Sequence, residues 1–154
     1  MAYSGKFTPK NKEKYLGNVS NITFRSLWER TAMNYFDMQP EVIKWASEDK
    51  HCIISYHNPT KPKPGMNARY YCDFWIKVRK NDMVKCFLIE VKPLKECSPP
   101  PKPKNNNVKA QRRYKAQLAT YVVNRAKWDQ AEKVCKKKGW TFMKMTEREL
   151  VRGK

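Results

Sequence analysis

Two segments of alternating polarity, residues 69–79 and 84–92, constrain the fold more than any other feature of the chain. In both segments apolar side chains recur at every second position, which is the period of a β-strand that buries one face. Asn81 and Asp82 lie between the segments, and a two-residue turn of this kind joins antiparallel strands. The sequence therefore predicts a β-hairpin around which the rest of the chain folds.

The predicted turn also determines which residues of the hairpin face each other. Counting outward from Asn81 and Asp82, Asp73 pairs with Glu90. Alternation places Glu90 and Lys92 on one face of the second strand, about 6.6 Å apart. The opposite faces are apolar enough to be core, and they carry Tyr70, Cys72, Phe74, Ile76 and Val78 on the first strand and Phe87, Ile89 and Val91 on the second.

Two carboxylates that face each other across a hairpin repel unless a cation lies between them. Magnesium suits such a site, because it takes oxygen ligands from one or two carboxylates and completes its shell with water and phosphate. Lys92 would then hold the attacking water and offset charge on the phosphate. A second interpretation remains open, since Glu90 and Lys92 can also form an ordinary ion pair on an exposed strand edge. Spacing alone does not separate the two.

The rest of the chain carries both helical and strand patterns. Helical spacing, capping residues and turn residues predict a mixed α/β domain with one core. Its predicted elements are a helix at 22–38 capped by Ser20 or Asn21, a short turn containing Trp45, a strand at 51–56, a helix that starts near Val108 and a helical pattern that continues to Lys138 and ends at Gly139, a strand at 140–145, and a short helix capped by Thr146 and Glu149.

Two segments are predicted to lie outside the packed elements. Residues 1–18 are polar and basic, which favours an extended N-terminal arm, although a frayed terminus is an equally open interpretation. Residues 97–107 are rich in proline, which removes hydrogen-bond donors and favours extended backbone, so we expect a long exposed loop. Residues 19–154 are then expected to form a single domain.

The chain is strongly basic, with 33 Lys and Arg against 14 Asp and Glu and a net charge of +19. Such a charge opposes compaction and attracts polyanions, which favours a phosphate-bearing partner such as nucleic acid. Solubility or an acidic protein partner remains an alternative. Candidate phosphate contacts are Lys109, Arg112, Arg113, Lys115, Lys136, Lys137 and Lys138, each of which could instead belong to a solvated face.

The five cysteines are an odd number, and no two form a CxxC pair, so neither a disulfide framework nor a zinc site is expected. No apolar run has the length of a membrane span or of a signal-peptide core. We therefore expect a protein of a reducing, cytoplasm-like compartment, with no membrane partner and no small-molecule cofactor.

An aspartate on one strand followed by Glu-x-Lys on the next resembles the PD-(D/E)XK nuclease superfamily. The matching residues are Asp73 in CDFW and Glu90 and Lys92 in IEVK. The resemblance implies a restriction-endonuclease-like core, with a mixed central sheet flanked by helices, and cleavage of DNA with magnesium, or with manganese in its place. It also implies that Asp73, Glu90 and the backbone carbonyl of Val91 bind the metal and that Lys92 acts on the water.

Members of this superfamily carry further site residues on helices. The resemblance implies that Glu29 is an additional catalytic and metal-binding acid from the preceding helix, while an i−4 salt bridge to Arg25 is the alternative. Gln117 and Tyr121 resemble the Gln-x-x-x-Tyr motif that binds DNA near the metal, although they could equally be a surface and a core residue. The chain departs from the pattern at Cys72, which replaces the proline that names the first motif.

A longer likeness covers most of the chain. The segments MAYSGKFTPKNKEKY, ITFRSLWE, VIKW, DFWIK, IEVKP and TYVVNRAKW are similar to the head completion nucleases of T-even-like tailed phages, a family related to the endonuclease subunit of a transposon. Glu48 lies in another block of this likeness, WASE, where a site role and a salt bridge at a strand end are both open.

The likeness implies a virion-assembly nuclease that trims packaged double-stranded DNA so that filled heads can be joined to tails. Its expected partners are head, portal or neck proteins, and its expected locations are the head-neck region of the virion and the host cytoplasm during assembly. Two alternatives remain open from the sequence. One is a neck or portal structural protein whose catalysis is vestigial, and the other is a basic nucleic-acid-binding module that never cuts.

Overall fold

The predicted hairpin lies at the centre of the main sheet in the computed structural model, which describes residues 3–152. In chain order the strands are β1 (Gly5–Lys6), β2 (Thr23–Phe24), β3 (Val42–Ser47), β4 (Ile53–Tyr56), β5 (Ala68–Tyr71), β6 (Phe74–Lys80), β7 (Met83–Val91) and β8 (Thr141–Met145), and the helices are α1 (Leu27–Met38), α2 (Val108–Lys138) and α3 (Glu147–Arg152). The main sheet has the order β3-β6-β7-β8. Its β7–β8 pair is parallel and the other two pairs are antiparallel, so the predicted mixed α/β fold is confirmed.

The turn of the β6–β7 hairpin forms as predicted. Asn81 and Asp82 have φ angles of 51° and 62°, the left-handed values that a two-residue type I′ turn requires. Lys80 pairs with Met83, and the register continues to the pair Phe74 and Ile89. The hairpin register deduced from the turn is therefore confirmed over the whole of β6.

The first predicted strand, 69–79, is two strands in different sheets. β5 pairs with β4 in a separate two-stranded sheet, and the chain leaves the ladder at Cys72 and Asp73 before β6 begins. Tyr70 and Cys72 consequently pack with Trp75 on one face of the main sheet, while Phe74 packs on the other. The prediction that Tyr70, Cys72 and Phe74 share a face is wrong, because the break changes the alternation.

The turn expected around Trp45 is also wrong, since this residue lies in β3, which pairs with β6. Trp45 and its neighbour Ala46 are both fully buried, because the sheet is covered on both faces. A strand buried on both faces shows no polar alternation, which is why the sequence pattern did not indicate it.

Helices cover both faces of the main sheet. α1 and α3 pack on one face through Ala32, Met33, Phe36 and Leu150, whereas α2 packs on the other with β4 and β5. The predicted start of α2 near Val108 and its end at Gly139 are confirmed, with Asn107 as N-cap and Gly139 at φ 73°. The strand at 140–145 is confirmed as β8. The capping pair is confirmed as well, because the Thr146 backbone N–H donates to the Glu149 carboxylate at 2.9 Å.

Two predicted elements are shorter than the sequence pattern suggested. The first helix begins at Leu27 rather than near residue 22, because Ser26, not Ser20 or Asn21, is its N-cap and residues 23–24 form β2 instead. The strand expected at 51–56 begins at Ile53, after a 3₁₀ helix at Lys50–Cys52. Residues 98–107 contain no helix or strand, and a 3₁₀ helix at Leu94–Cys97 precedes them.

The N-terminal segment is packed, which corrects the expectation of an extended arm. Phe7 is buried in the core below Trp45, and β1 pairs with β2. The Asp37 carboxylate accepts hydrogen bonds from the backbone N–H groups of Lys10 at 2.8 Å and Asn11 at 3.0 Å. Apolar anchors within a basic segment therefore hold it against α1 and β3. Residues 1–2 of the predicted arm and residues 153–154 of the predicted domain lie outside the described part of the chain.

No helix within the described residues is both long enough and apolar enough to cross a membrane.

Candidate active site

Three acidic side chains converge at one end of the main sheet. Glu29, Glu48 and Asp73 each offer a carboxylate oxygen, and these three oxygens lie within 4.8 Å of one another. Glu29 comes from the first turn of α1, Glu48 follows β3, and Asp73 lies at the junction of β5 and β6. We call these three residues the acidic cluster.

Glu29 is held at the cluster by the start of its own helix. The Ser26 hydroxyl accepts a hydrogen bond from the Glu29 backbone N–H at 3.1 Å, and the Glu29 carboxylate accepts from the Arg25 backbone N–H at 3.4 Å. The Ser26 side chain therefore caps the helix, and the Glu29 side chain reaches back across the first turn to the residue before the cap. Burial, followed by the charge of Asp73, raises the pKa of Glu29.

Glu48 occupies a strained backbone position beside Asp73. Its φ angle is 51°, a left-handed value that costs about 1–3 kcal/mol for a residue other than glycine and is concentrated at functional sites. Its backbone N–H donates to the Asp73 carbonyl at 3.3 Å, and its carboxylate forms an ion pair with Arg25. Glu48 therefore forms the salt bridge that was one of its two predicted roles, and it also lies in the acidic cluster, where a site role stays a prediction.

Asp73 is the most perturbed acid of the cluster. Its Oδ2 accepts a hydrogen bond from the Val91 backbone N–H at 2.8 Å, which turns the side chain toward β7. Burial, and then the neighbouring Glu90 carboxylate, raise the pKa of Asp73 to about 8. Removal from water and a neighbouring carboxylate thus outweigh the opposing effects of the Val91 hydrogen bond and the Lys92 charge.

Glu90 and Lys92 extend the site along β7. Glu90 is buried, and its Oε2 lies 3.8 Å from the Lys92 ammonium nitrogen, as expected for residues on one face of a strand. The Glu90 carboxylate is close enough to Asp73 to raise its pKa. The two acids are not the predicted ladder pair, however, because the hairpin ladder ends at Phe74. Within the described residues, the three oxygens that meet within 4.8 Å do not include one from Glu90.

The donor set fits a hard divalent cation. Three carboxylates converge, and burial together with neighbouring carboxylates raises the pKa values of Asp73 and Glu29. Magnesium and manganese prefer such oxygen ligands, whereas the cluster offers neither thiolate nor imidazole.

Comparison with known proteins identifies the family of the chain. The family model described as TnsA-like endonuclease N terminal matches residues 39–147. The chain belongs to the TnsA-like endonuclease family. It is also 39% identical to the "Head completion nuclease" of Enterobacteria phage T4 over 147 residues, which cover 96% of this chain and 93% of the phage protein. No solved structure matches the chain significantly.

These comparisons confirm the resemblance seen in the sequence and make the chain a nuclease by family. The matched range contains Glu48, Asp73, Glu90 and Lys92, and it begins after Glu29. The acidic cluster of this TnsA-like chain therefore joins residues from inside the family match to one residue from the helix before it.

The residues predicted to bind DNA lie on α2. Gln117 and Tyr121 line a cleft between this helix and the proline-rich loop. Four basic side chains are exposed on the first two turns of the helix, namely those of Lys109, Arg112, Arg113 and Lys115. The second basic group, Lys136 to Lys138, is also exposed but lies at the other end of the helix, about 35 Å from Arg113 at 1.5 Å per residue.

Glu48 is the member of the acidic cluster that the sequence did not assign to the site. The WASE block, residues 45–48, was the available signal. Glu48 follows the end of β3, so its position could be predicted only if β3 was recognised as a strand. Because the sequence pattern predicts a turn around Trp45, it does not place Glu48 at the end of a strand next to Asp73. The alternative salt bridge within α1 also differs from the structure, since Arg25 pairs with Glu48 rather than with the Glu29 carboxylate.

Proposed function

We propose that this chain is a magnesium-dependent deoxyribonuclease of phage head completion, which trims packaged double-stranded DNA so that filled heads can be joined to tails. The observation that carries the metal-dependent reaction is the acidic cluster, in which three carboxylate oxygens from separate elements meet within 4.8 Å, while Lys92 lies 3.8 Å from the neighbouring acid Glu90. The relative named head completion nuclease supports the biological role.

In this proposal Glu29, Glu48 and Asp73 hold the cation, together with Glu90 and the backbone carbonyl of Val91. The hydrogen bond from the Val91 N–H keeps the Asp73 carboxylate turned toward β7, the strand that carries Glu90 and the Val91 carbonyl. When bound, magnesium or manganese supplies Lewis-acid chemistry that acidifies water and offsets negative charge on a phosphate.

Lys92 orients the attacking water and stabilises charge that develops on the phosphate. Its ammonium group lies 3.8 Å from the Glu90 carboxylate, which restrains the long side chain. Hydrolysis forms a bond between the water oxygen and phosphorus and breaks the bond from phosphorus to one sugar oxygen. The water proton passes to solvent or to a neighbouring base, and the departing sugar oxygen takes up a proton.

The basic side chains of Lys109, Arg112, Arg113 and Lys115 would hold the DNA backbone without reading its sequence. The proposal places the protein in the head-neck region of the virion and, during assembly, in the host cytoplasm. Head, portal or neck proteins are its proposed partners there.

A cleavage assay tests the enzymatic part. Purified wild-type protein is incubated with plasmid and linear DNA in magnesium or in EDTA, beside Asp73→Ala, Lys92→Ala and a matched control, Glu132→Ala, on the exposed face of α2. We expect cleavage by the wild type and the control in magnesium alone. Equal cleavage by the Asp73→Ala protein would indicate a contaminant and would remove the site from the proposal.

Complementation tests the biological part. Phage that lack the gene are supplied with wild-type or Asp73→Ala protein, and infectious particles are counted. We expect the variant to yield heads that do not join tails. Full infectivity with a catalytically silent variant would instead favour the structural role in the neck, in which cutting is dispensable.

A further inference from the structure

A second concave surface opens a few residues beyond Lys92. The 3₁₀ helix at Leu94–Cys97 and the proline-rich loop pack against the middle of α2 and enclose a cleft of about 450 Å³. Lys95 lines this cleft and lies three residues after Lys92, so its Cα is within about 11 Å of that residue. One wall of the cleft therefore lies within reach of a DNA strand held at the candidate active site.

Asn124 is the unusual residue of this cleft. Its side chain lines the cleft and the residue is only 9% exposed, yet its amide makes no hydrogen bond to any of the described residues. Among the described residues the buried side-chain nitrogens without a partner belong to Trp45, Trp75 and Trp128, so the Asn124 amide is not sealed from solvent and remains accessible from the cleft. The Asn124 amide is thus placed to bind a group that enters from outside.

The other walls of the cleft suit a flat, polar-edged ring. The half-buried phenol ring of Tyr121 lies one turn before Asn124 on the same side of α2, and Pro100 and Pro101 line the cleft from the loop. Gln117 adds a second amide at the exposed end. Aromatic side chains stack on unpaired bases, and side-chain amides bind the donor and acceptor edges of such bases.

We propose that this cleft receives one unpaired nucleobase of the strand held at the acidic cluster, with Tyr121 stacking on the base and Asn124 binding its edge. A base that remains paired in a duplex has its faces and edges covered, so the cleft favours frayed, mismatched or single-stranded DNA. This inference rests on the proposed function and specifies the form of DNA that the nuclease prefers.

Binding of short oligonucleotides tests the inference without any cleavage. Fluorescence anisotropy is measured in EDTA with a single-stranded oligonucleotide, the matched blunt duplex, and a series in which one abasic nucleotide moves along the single strand. We expect wild-type protein to lose affinity on the order of tenfold when the abasic nucleotide occupies one particular position, since a stacked base contributes an effect of that size. Asn124→Ala should lose about as much on the intact strand and little more on that abasic strand.

Two variants guard against a trivial loss of folding. Asn124→Asp keeps the size of the side chain but removes its donor, and it should weaken single-strand binding as Asn124→Ala does. Asn34→Ala, an exposed asparagine on α1, should bind every oligonucleotide as the wild type does. All proteins should retain duplex affinity within about twofold and the wild-type circular dichroism spectrum.

The outcomes separate this inference from the function on which it rests. Abasic penalties that are the same in wild type and in Asn124→Ala, or equal losses on single strand and duplex, would overturn the nucleobase site. Absence of magnesium-dependent cleavage by the wild type would instead remove the proposed nuclease activity and leave the binding result standing.

Discussion

Asp73 has a pKa well above the usual value of an aspartate, because of burial and a neighbouring carboxylate. Its half-buried carboxylate lies beside Glu90 and within the acidic cluster, and it accepts a hydrogen bond from the Val91 backbone N–H. At a pH between the ordinary pKa near 4 and the raised value of about 8, the folded, metal-free protein keeps a proton on Asp73 that the unfolded chain has released. Stability contributed by this proton is complete below the ordinary pKa near 4 and is lost as the pH rises through about 8.

Replacing Asp73 with Asn tests this electrostatic account. The amide can still accept the Val91 N–H but carries no charge, so the variant should gain stability relative to wild type as the pH rises. In EDTA we expect this relative gain to be about 1–2 kcal/mol larger at pH 9 than at pH 5. Urea denaturation at both pH values measures it. Asp129→Asn, at an exposed acid paired with Arg125, is the matched control and should change stability by at most about 1 kcal/mol.

A gain for Asp73→Asn that is the same at both pH values, or a loss that grows with pH, would contradict the crowding of negative charge at this position.

Glu48 gives a second test at the residue scale. If it holds a cation with Glu29 and Asp73, Glu48→Gln should reduce cleavage by about 10- to 100-fold and raise the magnesium concentration that is needed. Arg25→Gln, which removes the partner of the salt bridge, should have a smaller effect. A magnesium titration of the cleavage rate measures both, with Glu41→Gln at an exposed position as the control. Equal effects of Glu48→Gln and Arg25→Gln would reduce Glu48 to a structural role.

Single residues differ in how well the sequence predicted them. The shared face of Glu90 and Lys92 followed from a period of two, which is a local rule, whereas the predicted ladder pair of Asp73 with Glu90 did not form because the ladder ends at Phe74. Glu48 could not be placed in this way, because its approach to Asp73 depends on the pairing of β3 with β6, residues distant in the sequence. Cys72 occupies the position at which the first motif of the PD-(D/E)XK superfamily has proline. Its thiol donates a hydrogen bond to the Ile89 carbonyl at 3.1 Å and so links the segment before β6 to β7.

Among the elements, helices were predicted better than strands. α2 begins at a cap residue, Asn107, and ends at a left-handed glycine, Gly139, and both are local signals. The break between β5 and β6 has no such signal, because apolar residues continue at every second position through it. Both faces of the main sheet are buried, so an apolar residue is compatible with either face and polarity cannot report the change.

The first half of α2 carries the proposed contact with the DNA backbone. Arg112→Ala combined with Arg113→Ala should weaken binding of duplex DNA and make the slope of log affinity against log salt shallower by about 0.9 for each phosphate contact removed. Anisotropy at several salt concentrations measures the slope. Lys136→Ala with Lys137→Ala removes the same charge at the opposite end of the helix and should change the slope less. A larger change from that distant pair would place the DNA elsewhere.

On the scale of the whole molecule, the site depends on several layers of the fold at once. α1 delivers Glu29, the end of β3 delivers Glu48, and the junction before β6 delivers Asp73. The N-terminal segment supports this assembly, since Lys14 donates to the carbonyls of Asp37 at 2.9 Å and Gln39 at 2.7 Å at the end of α1. Sequence periodicity predicted the fold class and net charge predicted a polyanionic partner, but neither predicted this support, because a basic segment alone resembles an unpacked arm.

The net charge of +19 also acts through the whole molecule. It draws DNA to the surface without choosing a sequence, so specificity must come from the form of the DNA or from the site of assembly. Together with the acidic cluster, this distribution gives a positive exterior around a local negative centre. A divalent cation would link that negative centre to a phosphate held by the positive surface.

The most direct test of the central claim measures magnesium binding and DNA cleavage on the same preparations of three proteins. Calorimetry gives metal affinity, and the cleavage rate of linear duplex DNA gives activity, for wild type, Asp73→Ala and Lys92→Ala. We predict that Asp73→Ala loses both metal binding and cleavage, whereas Lys92→Ala still binds magnesium and loses cleavage by at least about 100-fold. Wild-type cleavage rates in both variants would contradict the assignment of the reaction to this site.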